Sequence, residues 1–261
     1  MDRPLYNQLV RYYEVLEGRD WKSEIDLITS VFHDYGCNSV VDLGCGTGHH
    51  VRSLARSGFK ATGVDISVQN VSYARKRAAE DGVDTHFVVG SYYEYHPVKS
   101  FDAALCLNWS IPVKDGEVRR FLNNTYSLLR PRGVLIFDYE KLSEIAWSEV
   151  GKPIFESWDL DDGLAVRVSV GQIKSNVLSS RDVYIIYPKR QDSKSPDESS
   201  RYKAVGKGGE VQIYRDHSYV RFFSPTEIRC VARDSGFSVV SNLVLPRRQY
   251  KRNYAILRKA K

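Results

Sequence analysis

The chain has 261 residues, one large domain or two small ones. With 42% hydrophobic and 27% charged residues it holds enough apolar material for a sizeable core, which excludes wholesale disorder. The net charge of +6 suits an anionic substrate or weak nucleic-acid affinity without requiring either. In chain order, residues 23–36 place Ile25, Ile28, Val31 and Phe32 on one helical face, with Gly36 as the stop. A short buried strand follows at 39–43, then a glycine-dense turn at 44–48. Helical spacing resumes over 51–57 and closes at Gly58. A second strand at 61–64 leads to a polar helix over 67–81, ended by Gly82. Strands at 85–89 and 101–107, a helix over 115–130 stopped by Pro131-Arg132-Gly133, and a fifth strand at 134–138 complete the first half. Strands alternating with helices predict an α/β fold, a parallel sheet with helices on both faces.

The pattern changes after Tyr139. Residues 153–187 and 211–223 are rich in Val, Ile, Tyr and Phe with approximate alternation, which predicts antiparallel strands. Between them the polar, Ser/Gly-rich run 189–209 reads as a mobile connector, with a functional lid as the alternative. Ser224-Pro225-Thr226-Glu227 is a helix start, Gly236 its end, and 237–245 and 253–257 are two closing strands. Three regions result: a core over 1–140 with an amino-terminal helical cover, a β insertion over 141–223, and a closing unit over 224–261. Cys37, Cys45, Cys106 and Cys230 have no paired spacing, which argues against a zinc site or a disulfide framework. No uncharged stretch reaches the ~20 residues of a membrane span, and Met1-Asp2-Arg3-Pro4 opens no signal peptide, so a soluble cytoplasmic protein is expected.

The strongest chemical signal is Val40-Val41-Asp42-Leu43-Gly44-Cys45-Gly46-Thr47-Gly48. Glycine at every second position lets a ligand approach the backbone, and the next helix offers unpaired N–H groups. The run is neither G-x-G-x-x-G nor a phosphate loop, and Asp42 beside it disfavours a polyanion and favours a cationic or zwitterionic ligand. Asp65 ends the next strand, 17 positions after Gly48. A carboxylate there can accept both hydroxyls of a ribose, or it can simply complement a helix N-terminus that Ser67 caps.

The runs D-L-G-C-G-T-G and V-D-I-S, with a third strand ending in Gly90-Ser91, resemble class I S-adenosylmethionine-dependent methyltransferases, whose first five strands residues 39–139 match in order. The resemblance implies a Rossmann-like seven-stranded sheet with a final antiparallel hairpin. It implies S-adenosylmethionine as cofactor and S-adenosylhomocysteine as product. Gly44, Cys45, Gly46 and Gly48 would line the methionine part, Asp42 would face its amino or sulfonium end, and Asp65 and Ile66 would lie at the ribose. Gly90-Ser91-Tyr92 stands where many relatives have Gly-Asp, so the serine hydroxyl, or a backbone N–H and ring from Tyr92, would serve the adenine. At the fourth strand's end Leu107 and Asn108 would touch the cofactor, and Trp109 would wall the substrate or sit in the core. Asn108 is not followed by the Pro-Pro-aromatic signature of base-amine methyltransferases.

Two further features are similar to the small-molecule N-methyltransferases acting on glycine or amino sugars. In Tyr12-Tyr13-Glu14-Val15-Leu16-Glu17-Gly18-Arg19-Asp20-Trp21, Tyr13 and Trp21 would be cover aromatics against the sulfonium, or anchors of a helix. The strand-rich insertion returns through 216–225, where His217, Tyr219 and Arg221 share one face by alternation. If that face looks into the site, Arg221 would bind an anionic substrate and His217 would take a proton from an amine. Tyr139 and His217 are the candidate catalytic residues, and Tyr139 equally reads as a packing aromatic. The favoured activity is methyl transfer to a small molecule on nitrogen or oxygen. A methyltransferase acting on RNA or protein is the second reading, carried by the basic runs 247–252 and 258–261, and a non-catalytic cofactor-binding protein is the third. A homodimer is left open.

Overall fold

The computed structural model describes residues 3–18, 20–108, 110–189, 210–246 and 251–260. Apolar runs flanked by turns form β1 (Ser39–Leu43), β2 (Lys60–Asp65), β3 (His86–Val89), β4 (Phe101–Cys106) and β5 (Leu129–Tyr139). Joined by β10 (Phe237–Pro246) and β11 (Lys251–Lys259), they make one seven-stranded sheet in the order β10-β11-β5-β4-β1-β2-β3. β1 to β5 pair in parallel, while β11 runs antiparallel to both β5 and β10. Helices cover both faces, so the central strands are apolar on both sides rather than alternating. On one face α2 (Trp21–Asp34), α3 (His49–Arg56) and α4 (Val68–Glu80) contribute Phe32, Leu54 and Val71 to a core with Val40, Leu105 and Ile136. On the other, α5 (Asp115–Leu128) and α6 (Pro225–Asp234) pack Phe121 and Ile228 against Leu43, Leu135 and Leu257.

Two element boundaries depart from the sequence reading for local reasons. α2 starts at Trp21 rather than 23 because the Asp20 carboxylate accepts from the Ser23 N–H at 3.1 Å. α5 ends at Leu128, and β5 takes up the chain at once: Leu129 pairs with Phe101, the register shifts before Ala103, and Arg132 turns through φ +64°. The Pro131-Arg132-Gly133 turn therefore lies inside the strand as a bulge and does not precede it.

Between β5 and α6 the insertion forms a four-stranded antiparallel meander, β6 (Pro153–Leu160), β7 (Gly163–Lys174), β8 (Val177–Pro188) and β9 (Gln212–Arg221). One of its faces is closed by the amino-terminal segment: Leu5, Leu9, Tyr12, Tyr13 and Leu16 share a core with Leu160, Ala165, Tyr184 and Ile186. The chain's start is thus strapped to the insertion, and α1 (Tyr13–Leu16) is carried above the carboxyl ends of the parallel strands. Of the expected connector 189–209, residues 190–209 lie outside those described. No helix among the described residues is long and apolar enough to cross a membrane.

Candidate active site

A cavity of about 680 Å³ opens where the carboxyl ends of β1, β2 and β4 meet the amino-terminal segment and β9. In a parallel sheet this edge gathers the loops that leave the strands, the usual place for a ligand. The glycine turn forms its floor. Gly44 and Cys45 donate their N–H groups to the Val64 carbonyl at 2.8 and 3.1 Å, which presses the turn against β2. Gly46 has φ +52°, and a Cβ there would meet no atom within 4 Å, so its missing side chain leaves the cavity space free. Gly48 does something else. It caps α3 in a left-handed conformation, and a Cβ would lie 2.7 Å from the Phe87 ring, so this glycine permits packing and does not line the cavity. Cys45 lines the wall, its thiol kept protonated by burial, which raises its pKa well above the ordinary range.

Asp42 and Asp65 both face the cavity. Asp42 is 2% exposed, and its Oδ2 has no hydrogen-bond partner. Burial pushes this carboxyl up to about 6, the charges of Asp65, Glu24 and Asp138 push the same way, and His50, with Nδ1 3.9 Å from that oxygen, opposes them. A buried carboxylate oxygen without a donor calls for a cation or a donor from the ligand. Asp65 accepts from the N–H groups of Gly46 and Ser67, each at 2.8 Å, and from Asn70 Nδ2 at 3.4 Å. Burial raises its pKa and these bonds oppose it. Ser67 meanwhile caps α4 by accepting from the Asn70 N–H, so Asp65, on the cavity wall, braces the glycine turn and the helix start together.

Gly90, Ser91 and Tyr92 line the far wall with Ile66. The Gly90 N–H donates to the Asp65 carbonyl, and the Tyr92 hydroxyl donates to the Ser110 carbonyl at 3.1 Å, joining the loops after β3 and β4. Leu107 and Asn108 stand at the β4 exit, on the cavity. Above, Tyr13 and Trp21 close the roof, with the Trp21 ring 4.2 Å from His49. Glu14 latches this roof to α3: it accepts from Thr47 Oγ1 at 2.9 Å and Arg52 Nη2 at 3.0 Å, and its other oxygen lies 3.3 Å from His49 Nδ1. Burial alone would raise the Glu14 carboxyl, but the His49 hydrogen bond and the Arg52 guanidinium outweigh it and hold it down at about 2.

From the insertion, His217 and Tyr219 reach the cavity rim. His217 Nε2 lies 2.7 Å from Ser179 Oγ, and its Nδ1 is 3.4 Å from the Tyr219 hydroxyl. Arg221 does not join them. Its guanidinium sits 2.5 Å from Asp115 and 3.6 Å from Glu227 and donates to the Val113 carbonyl, so it braces the start of α5 against α6, outside the cavity. Tyr139 is also absent from the cavity: it is 2% exposed in the core beside Phe137, and its hydroxyl donates to Asn242 Oδ1 at 3.4 Å. Its assignment as a catalytic and substrate residue is corrected accordingly. Trp109 lies outside the described residues. Since only one long hydrogen bond is at stake, Tyr139→Phe is expected to cost under ~1 kcal/mol and to leave ligand affinity within about twofold. Titration calorimetry checks this, and a tenfold loss would return the residue to the site.

Several site residues escaped the sequence reading. Arg3, Tyr6 and Asn7 enter the cavity wall from the amino terminus, Arg3 with its fork bound to both oxygens of Asp216 at 3.0 Å. Behind the floor, Glu24 and Asp138, both fully buried, flank a fully buried Arg252: Nη1 lies 3.2 Å from Glu24 Oε1 and Nη2 2.8 Å from Asp138 Oδ2. Arg252 belongs to the basic run that carried the nucleic-acid reading. Lys259, from the other run, is also engaged, donating to the Tyr126 and Leu129 carbonyls, while Arg258 sits over the Tyr35 ring. Residues 247–250 lie outside the described residues.

Residues 40–133 match the family described as Methyltransferase domain. The glycine N-methyltransferase of Rattus norvegicus is 28% identical over 170 residues, 58% of this chain and 58% of that protein. The ubiquinone biosynthesis O-methyltransferase of Rickettsia canadensis is 30% identical over 112 residues, 43% of this chain and 47% of that one. The chain spans about half the length of the curated relatives it matches. Among solved structures, the S-adenosylmethionine-bound amino pentose methyltransferase of Micromonospora echinaspora superposes with a TM-score of 0.70 at 16% identity, covering 94% of this chain and 93% of that one. That likeness extends over the antiparallel insertion as well as the seven-stranded sheet.

Proposed function

With residues 40–133 a methyltransferase domain and the whole chain on the class I methyltransferase fold, we propose that the protein transfers a methyl group from S-adenosylmethionine to a small-molecule amine. The observation that carries this reading is the Asp42 carboxylate, buried with one oxygen short of a donor, in the lining of a cavity whose floor is the glycine turn. Such a site suits a ligand with a cationic end. Asp65 would accept the ribose hydroxyls, and Ser91 and Tyr92 would border the adenine. Bound there, the cofactor supplies a methyl group activated by a sulfonium. The chain's own work is then positioning, exclusion of water and proton handling, of which positioning alone can contribute ~7–11 kcal/mol. Tyr13 and Trp21, held down by the Glu14 latch, shield the reacting atoms, and the aromatic rings stabilise positive charge beside them. An ammonium acceptor must lose a proton before it can attack, and His217, at the rim, is placed to take it.

An amine is preferred to a hydroxyl because a neutral amine attacks without a strong base, and the described cavity wall offers a single histidine pair and one rim histidine for deprotonation. Relatives act on both atom types, the rat enzyme on nitrogen and the Rickettsia enzyme on oxygen. An anionic acceptor loses its sequence support, since Arg221 is engaged elsewhere and Arg3 is paired with Asp216. Incubation with radiolabelled S-adenosylmethionine and fractionated extract tests the proposal: label in the small-molecule fraction is expected, and label confined to RNA or protein would overturn it.

The Asp42 carboxyl also sets a pH dependence. Burial holds its pKa at about 6, above the ordinary carboxylate value. Its contribution to stability is therefore full below the ordinary value and is lost as pH rises through about 6. A cationic ligand binds the ionised form, so S-adenosylhomocysteine affinity is expected to fall by up to ~tenfold per pH unit below that point. Calorimetry between pH 5 and 8 checks it. In Asp42→Asn the slope should flatten, and a slope as steep as the parent's would detach it from this group.

A further inference from the structure

Asn108 is, among the described cavity residues, a non-glycine residue in a left-handed conformation, φ +65°. That conformation disfavours L side chains, asparagine less than most, and persists where the surroundings hold it. Two buried charged groups do so from behind. The Asn108 N–H donates to Asp138 Oδ2, and its Oδ1 accepts from Arg252 Nη1, both at 3.1 Å. Asp138 lies on β5 and Arg252 on β11, so the grip crosses two strands of the sheet. The same guanidinium is held by Glu24, which belongs to the first turn of α2, the helix whose first residue is Trp21 in the cavity roof. Glu24 Oε2 lies 3.5 Å from His50 Nε2, and His50 is the neighbour of Asp42.

One side chain therefore joins two walls directly, the β4 exit and the roof helix, and reaches Asp42 at the end of β1 through Glu24 and His50. We infer that Arg252 is a positioning residue of the ligand cavity, fixing the left-handed turn at Asn108 and with it the wall at Leu107 and Asn108. The inference rests on the proposed cofactor role of that cavity. Arginine is required because its planar fork addresses two carboxylates and an amide oxygen together, which a point-like ammonium cannot do.

Arg252→Lys keeps the charge and loses the fork. Its affinity for S-adenosylhomocysteine, read by calorimetry, is expected to fall about tenfold or more, since small displacements in such sites carry costs of that order. Hydrogen exchange at 107–111 should accelerate while the β1 amides keep their protection. Adding Asn108→Gly supplies a residue that takes φ +65° without a latch, and the double variant is expected to regain affinity to within about threefold of the parent with no gain in melting temperature. A purely structural role for Arg252 would not produce that restoration. Asp138→Asn removes the charge that both the Asn108 N–H and Arg252 Nη2 face, and should show the same exchange pattern. Parental affinity in Arg252→Lys, or a double variant that folds as well as the single one and binds no better, overturns the inference. If the parent protein itself fails to bind S-adenosylhomocysteine, the proposed function fails, and unchanged exchange at 107–111 in Arg252→Lys and Asp138→Asn then decides against the positioning role.

Discussion

Glu24→Ala is expected to destabilise the protein by ~3–5 kcal/mol, the range for removing one partner of a buried ion pair. Glu24 is fully buried on α2 and accepts from the Tyr254 hydroxyl at 2.6 Å and from Arg252 Nη1 at 3.2 Å. Burial works against the Arg252 charge, and the carboxylates of Asp138 and Glu24 overcome it, raising the pKa further. Without Glu24 the buried guanidinium loses one of its carboxylate partners, and the buried tyrosine hydroxyl loses its acceptor. For a domain of this size the melting temperature should fall by ~10 °C, readable by calorimetry or circular dichroism. Glu24→Gln keeps an acceptor oxygen and should lose about half as much. The pair Glu24→Leu with Arg252→Met removes both charges and should cost less than the sum of the two single changes. A loss below ~1 kcal/mol in Glu24→Ala would show that water reaches the cluster and that the charges are not buried together.

This cluster also marks where the sequence stopped being legible. The strands, the helices between them and the strand-rich insertion followed from periodicity, because each needs only local pattern: apolar runs at β1, β4 and β5, glycine stops at 36, 58 and 82, and the Ser224 cap before α6; the seven-stranded sheet with its antiparallel hairpin came from the family resemblance. Gly44, Gly46, Asp42 and Asp65 were legible for the same reason, lying together on one turn and the next strand end. Arg252 was not, because its partners are 114 and 228 residues away in the chain, and a cation within a basic run reads as solvated surface. The available hint was an acid at position 24 amid a helical face of Ile28, Val31 and Phe32, together with an acid ending the apolar strand β5. Two carboxylates in core positions require a cation somewhere. Arg221 and Tyr139 failed for a related reason. Alternation says which face of a strand a side chain takes, but Arg221 lies one step past the cavity edge, where Asp115 and Glu227 capture it, and Tyr139 is turned into the core beside β11. Gly48 shows the converse: the motif was right, yet the reason for that glycine is the Phe87 ring and not the ligand.

Asp65→Ala should weaken S-adenosylhomocysteine binding by ~10²-fold or more, since each hydrogen bond to a charged group is worth ~1.5–3 kcal/mol and the ribose would make two. Part of that loss is indirect, because Asp65 also accepts from the Gly46 and Ser67 N–H groups and so shapes the turn on which the ligand lies. The two contributions separate in a cycle that compares S-adenosylhomocysteine with its 2′-deoxy analogue on both proteins. On the parent, deleting the hydroxyl should weaken binding by roughly tenfold or more. On Asp65→Ala it should change affinity by less than about twofold, because the acceptor has gone. Asp65→Asn adds a further discrimination: its amide oxygen can still accept one N–H, but its NH₂ group must face the Ser67 or Gly46 donor, so it should bind little better than the alanine variant. Equal sensitivity to the missing hydroxyl in parent and Asp65→Ala would mean that the carboxylate only braces the turn, and the ribose would then have to be held by another group on the cavity wall.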